Sequence, residues 1–221
     1  MLSLSEYYLT IFGNCIRANL IMNITAENIK EHIPYYLTQP AKDGLIKSLR
    51  DFPEKMNYYT GIHKDEVLQG DGWSCLDILN FETAERKSIK GIILSNSCDI
   101  SSENPRDLPV QIVFAPIIQL SSYEKLLNSN GVPYDKISAK ISSIKQQKVT
   151  SLFYLPKGGS LESDYIAVFD DLHTLPAKYF YMKSERKKQF TLSQSGFYLF
   201  LLKLSIHFCR FHENVFRDHE Y

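Results

Sequence analysis

Three textures of hydrophobic and polar residues follow one another along the chain. Residues 1–58 carry helical spacing: in ITAENIKEHI, Thr25 is placed to cap a helix, with Glu27 in its first turn. In AKDGLIKSLRDF, Leu45, Ile46 and Leu49 share one face, and Pro53 closes the segment. From about residue 66 the runs become short, β-branched and bounded by turn residues: GDGWSCLDILN, KGIILS, LPVQIVFAPIIQL, VTSLFYLP, DYIAVF and AKYFYMKS each predict a strand. SSYEKLLNSNGVPYDKISAKISSIKQQKV interrupts them with helical periodicity, broken at Asn130–Pro133. After Gln189 the chain predicts a terminal helix, with Ser193 or Ser195 as cap. Its broad apolar face is formed by Leu199, Leu202, Ile206 and Cys209 together with Phe200, Leu204 and Phe208.

Strands without regular βα alternation argue against a doubly wound parallel sheet. The expected fold is α+β: a small, mostly antiparallel barrel with N-terminal helices, a helical insertion and a C-terminal helix. The expected organisation is a helical segment over 1–65, a barrel over 66–182 with the insertion at about 121–148, and a basic link plus helix over 183–221.

Composition narrows the classes. The 221 residues are 44% hydrophobic and 23% charged, as in an ordered globular protein. Twenty-five basic residues balance 25 acidic ones, so no whole-molecule field steers the chain toward nucleic acid, and only a local basic patch can serve that purpose. No run reaches the length of a membrane-spanning helix, and the N-terminus makes a poor signal peptide, which predicts a cytoplasmic protein. Cys15, Cys75, Cys98 and Cys209 lie far apart, so free thiols are expected rather than a disulfide framework.

Four groups of residues can carry chemistry. Cys98-Asp99 ends the run GIILSNSCDI: a nucleophile if His63 or His173 approaches it, or a small buried thiol followed by a capping or turn-forming aspartate. Asp170-Asp171 with His173 is an acid–base or metal pair, or a solvated turn. Lys183, Arg186, Lys187 and Lys188 beside Tyr179, Phe180 and Tyr181 can grip phosphates and stack bases, or simply link a strand to a helix. His207, Cys209 and His212 lack the spacing of a zinc site, and no metal or cofactor is expected.

The order of the strand motifs resembles the PemK/MazF family of ribonuclease toxins over roughly residues 66–180. The matching stretches are Leu68-Gln69-Gly70-Asp71, Gly91–Ser95, Val113–Ile117, Phe153–Lys157 and Ala167–Pro176. The resemblance implies an SH3-like barrel in a toxin–antitoxin or phage-defence setting, with RNA or an antitoxin as partner. In that case Lys90, Ser95 and the basic cluster with Tyr181 hold phosphate, and a group near Cys98-Asp99 assists cleavage. Two departures stand against activity. Where the family has an arginine–proline pair, this chain has Lys90-Gly91, and lysine lacks the rigid fork of arginine. Where the family has a threonine, this chain has Ile118 or Gln119. The expectation is therefore a binding component that has lost the ribonuclease residues, engaging nucleic acid or holding a protein through its terminal helix. The alternatives are an active RNA endonuclease or a hydrolase using Cys98. The Ser-x-x-Cys-Asp strand end and a terminal Arg-Phe also resemble a group of bacterial proteins of unknown role.

Overall fold

The computed structural model describes residues 56–209 apart from 82, 102 and 105, together with Gln39, Asp43 and Lys47. The expected Thr25 cap, the Leu45–Leu49 face, Cys15 and His212 lie outside the described residues. In chain order the elements are β1 (Tyr59–Thr60), β2 (Gly72–Leu79), β3 (Arg86–Ile93), α1 (Ser97–Ile100), β4 (Gln111–Gln119), α2 (Leu120–Ser129) and α3 (Tyr134–Lys145). They continue with β5 (Leu152–Leu155), β6 (Tyr165–Val168), β7 (His173–Pro176), α4 (Ala177–Met182), β8 (Lys188–Leu192) and α5 (Gln194–Cys209).

Among the described residues all the strand pairs are antiparallel, in the order β1-β8-β2-β3-β4-β6-β5, with β7 also on β4. The result is an α+β fold built on a curled sheet, a half-barrel, with helices at its margins. β4 makes the curl. Its first half pairs with β7 (Val113 opposite Thr174), and its end pairs with β6 (Ile117 opposite Ala167). Pro116, which has no N–H to give to a ladder, stands where β4 changes partner.

Both faces of this sheet are covered, which explains the unbroken apolar runs. Ile92, Ala115, Ile117 and Ala167 point into the main core with Phe153, Phe169, Leu199 and Phe200. Their neighbours Ile93 and Phe114 face a second core with Trp73, Leu76 and Phe180. Ile118 and Ile166 join a third core under α2 and α3. Alternation sends adjacent apolar residues to opposite faces, and here both faces are dry.

Three expectations are corrected. AKYFYMKS is not a last strand: Ala177–Met182 is a helical turn and a half, burying Ala177 and Phe180. Six residues of alternating and i,i+3 apolar spacing fit either period. The last strand is instead β8, drawn from a stretch read as link and helix start, and it pairs with both β1 and β2. The buried face of α5 is Gly196, Leu199, Phe200 and Lys203, while Phe208 and Cys209 are exposed. Of the two possible caps, Ser193 acts: its Oγ accepts from Gly196 N at 3.1 Å.

Candidate functional site

The run GIILSNSCDI leaves β3 and closes one helical turn. Asn96, not Asp99, caps that turn, its Oδ1 accepting from Cys98 N at 2.9 Å. Ile100 is the residue the turn buries, whereas Cys98 is exposed. Asp99 forms an ion pair with Arg106. Ser95 Oγ accepts from Val113 N at 2.8 Å, which ties the end of β3 to β4. Ser97 Oγ accepts from Gln69 N at 2.9 Å, and Gln69 Nε2 donates to Leu94 O at 2.7 Å. The Gly-Asp turn before β2 is thereby stitched to the segment after β3, and Ser95 and Ser97 are both hydrogen-bonded to main-chain groups. Lys90 sits in the middle of β3 rather than at its start, with its ammonium 5.6 Å from the centre of the Tyr165 ring.

The basic stretch turns inward. Lys183 Nζ lies 2.6 Å from Asp77 Oδ1, donates to Cys75 O at 3.1 Å and sits over the Tyr179 ring at 4.8 Å. Cys75 occupies a bulge in β2 with φ of 61°, a left-handed conformation costly for a non-glycine residue. Burial alone would push the Asp77 carboxyl up, but hydrogen bonds from Lys183 and Tyr179 outweigh it and hold the group below the usual carboxylate range. Arg186 is boxed by Trp73, Phe180 and Tyr181, with its guanidinium carbon 5.6, 5.2 and 5.1 Å from the three ring centres. The Tyr181 hydroxyl donates to Ile100 O at 3.1 Å, anchoring α1 to α4. Lys188 reaches Asp71 Oδ2 at 2.8 Å, His63 O at 2.5 Å and Thr191 Oγ1 at 3.1 Å. The Asp71 side chain is 1% exposed, and burial pushes its carboxyl above the usual range despite hydrogen bonds from Lys188 and Leu68 N–H. Lys187 is the exposed member of the cluster.

The acid–histidine groups form two separate pairs. His173 Nε2 lies 2.9 Å from Asp171 Oδ1, and His207 Nε2 lies 3.6 Å from Asp170 Oδ1. His173 stacks on Phe114, and His63 lies 2.7 Å from Glu66. Among the described residues no three of His, Cys, Asp and Glu gather as metal ligands, and no helix is long and apolar enough to cross a membrane.

Two features escaped the sequence reading. A groove of about 600 Å³ opens between β1, the Leu68-Gln69 turn and the start of α5, lined in part by Tyr59, His63, Thr191 and Phe197. A fully buried lysine, Lys203, donates to the carbonyls of Gln147 and Val149. A lone lysine inside LFLLKLSIHF was the available signal for it; the groove had none, since its walls come from three separate stretches. No protein-family model matches the chain, and no curated protein matches it.

Proposed function

We propose that the chain is a divergent PemK/MazF-like, SH3-like half-barrel that serves as a protein-binding component of a bacterial defence or toxin–antitoxin system and does not cleave RNA. One observation carries this reading: Lys183 and Lys188 are paired with Asp77 and Asp71, and Arg186 is held in an aromatic box. Cations neutralised inside the fold release few counterions from a nucleic acid, and counterion release is the main source of non-specific affinity for it. The groups expected to assist cleavage support the same reading. Lys90 lies within β3, Ser95 is held by β4, Asp99 is paired with Arg106, and the exposed Cys98 has no histidine partner among the described residues.

Apolar surface points to the partner instead. Leu79 and Tyr179 share a slot of about 280 Å³ with Arg86 and Pro176. Phe81 follows on the β2–β3 turn, 89% exposed, and Met182 lies one turn beyond Tyr179, 74% exposed.

The test compares two ligands. Fluorescence anisotropy with a labelled 20-mer RNA at low salt is expected to show weak binding that Lys187→Ala and Lys90→Ala leave unchanged, with no cleavage. A photo-crosslinking residue at position 81 is expected to trap a defined protein in the native cell, and Phe81→Asp is expected to abolish co-purification of that protein. Submicromolar RNA binding lost in Lys187→Ala, or cleavage lost in Lys90→Ala, would overturn the reading in favour of the endonuclease.

A further inference from the structure

Lys203 lies on the face of α5 that covers the main core, and none of its surface is exposed. Its Nζ donates to Gln147 O at 2.8 Å and to Val149 O. Those carbonyls lie within the connection from α3 to β5. There Gln147, with φ of 57°, turns its side chain to accept from Tyr154 N at 3.1 Å and donate to Tyr154 O at 2.7 Å. The same amide lies 3.4 Å from the Tyr58 hydroxyl. A lysine thus joins α5 to the outer edge of the sheet through main-chain oxygens, and among the described residues no carboxylate forms an ion pair with it. An ammonium carries three N–H groups and a charge, whereas the neutral amine carries two N–H groups. Two carbonyl acceptors in an otherwise apolar setting match the neutral amine.

We propose that Lys203 is a proton-sensitive latch: uncharged, it satisfies both carbonyls and seats α5 on the half-barrel; protonated, it loosens that seat. Burial pushes the group down from the ordinary lysine value to about 7. Its folded value therefore lies below its unfolded value of about 10.4. Between the two, the released helix binds the extra proton, so seating strengthens as pH rises from about 7 and gains nothing further below it. The phenols facing the site stay neutral across this window, since burial pushes Tyr58 up to about 12 and raises Tyr154 as well. Lys148 lies between the two carbonyl-bearing residues in the chain. His207, one turn along α5, acts in the opposite sense, because its contact with Asp170 gains strength when the ring is protonated.

The test uses the full chain with ¹³C-labelled lysine. The Cε signal of Lys203 is expected to titrate with a midpoint near 7. The opening constant of α5, measured by amide hydrogen exchange, is expected to fall about tenfold per pH unit between about 7.5 and 9.5, the slope of a one-proton linkage. Lys203→Met is expected to lose that slope. A midpoint near 10 overturns the proposal, as does a wild-type opening constant that does not change over the window. Should Lys203→Met fail to fold, those two wild-type measurements still decide.

Discussion

Replacing Lys188 by Met removes the contacts that its ammonium makes inside the fold, with Asp71 Oδ2, His63 O, Thr191 Oγ1 and the Trp73 ring. Asp71 is then left buried with the Leu68 N–H and the Thr191 hydroxyl as its remaining donors. Stripping one member from a buried pair costs about 3–5 kcal/mol. The carboxylate can escape that cost by taking a proton, which sets a ceiling. At pH 7 protonation costs about 1.36 × (7 − 3.9), or about 4 kcal/mol; at pH 5 it costs about 1.5 kcal/mol. Lys188→Met is therefore expected to destabilise by about 3–4 kcal/mol at pH 7 and by about 1.5 kcal/mol at pH 5, measured by urea unfolding with unchanged slope. The sign follows from linkage: in the variant the folded carboxyl titrates above its unfolded value, so stability is retained at low pH and lost as pH rises toward the folded value. Adding Asp71→Asn is expected to recover much of the loss at pH 7 and to flatten the pH dependence. A loss under 1 kcal/mol at pH 7, or an equal loss at both pH values, would refute the view that Lys188 is there to neutralise Asp71.

Other substitutions probe the remaining structural claims. Gly91→Ala places a Cβ 2.9 Å from Ala115 O and 2.7 Å from Leu76 Cδ1; because the carbonyl belongs to the β4 ladder, a loss of about 1–3 kcal/mol is expected in thermal unfolding. Gln147→Ala strips the side chain that pairs both main-chain groups of Tyr154 at the sheet edge. It should cost about 2–3 kcal/mol and speed amide exchange at Tyr154. Cys98→Ala, at an exposed position on α1, should change stability by less than about 0.5 kcal/mol in urea unfolding; a larger loss would mean that the thiol has a contact beyond those described.

Much of the fold was legible because it rests on local pattern. The runs at Gly91–Leu94 and Ile112–Ile118 declare strands buried on both faces, and the helical insertion with its break at Asn130–Pro133 follows from periodicity and turn chemistry alone. Where two periods fit equally, as at Ala177–Met182, the sequence could not choose, and packing of Phe180 against Trp73 chose the helix. β1 could not be read at all, since two residues carry no period; only their pairing with Thr191 and Leu192 makes them a strand.

The candidate site divides in the same way. The types and positions of Lys183, Arg186, Lys187 and Lys188 are plain in the sequence, and a run of cations reads as a surface. Tertiary structure decided that Asp77 and Asp71, more than a hundred residues earlier, meet two of them and that three aromatic rings enclose a third. Charge along a chain is a local property, but whether that charge is free to act depends on partners that only the closing of β2 against β8 brings into reach. The same holds for Lys203. Sequence alone marks a lysine out of place in an apolar helix; the carbonyls of Gln147 and Val149, delivered from the far edge of the sheet, make burying it possible.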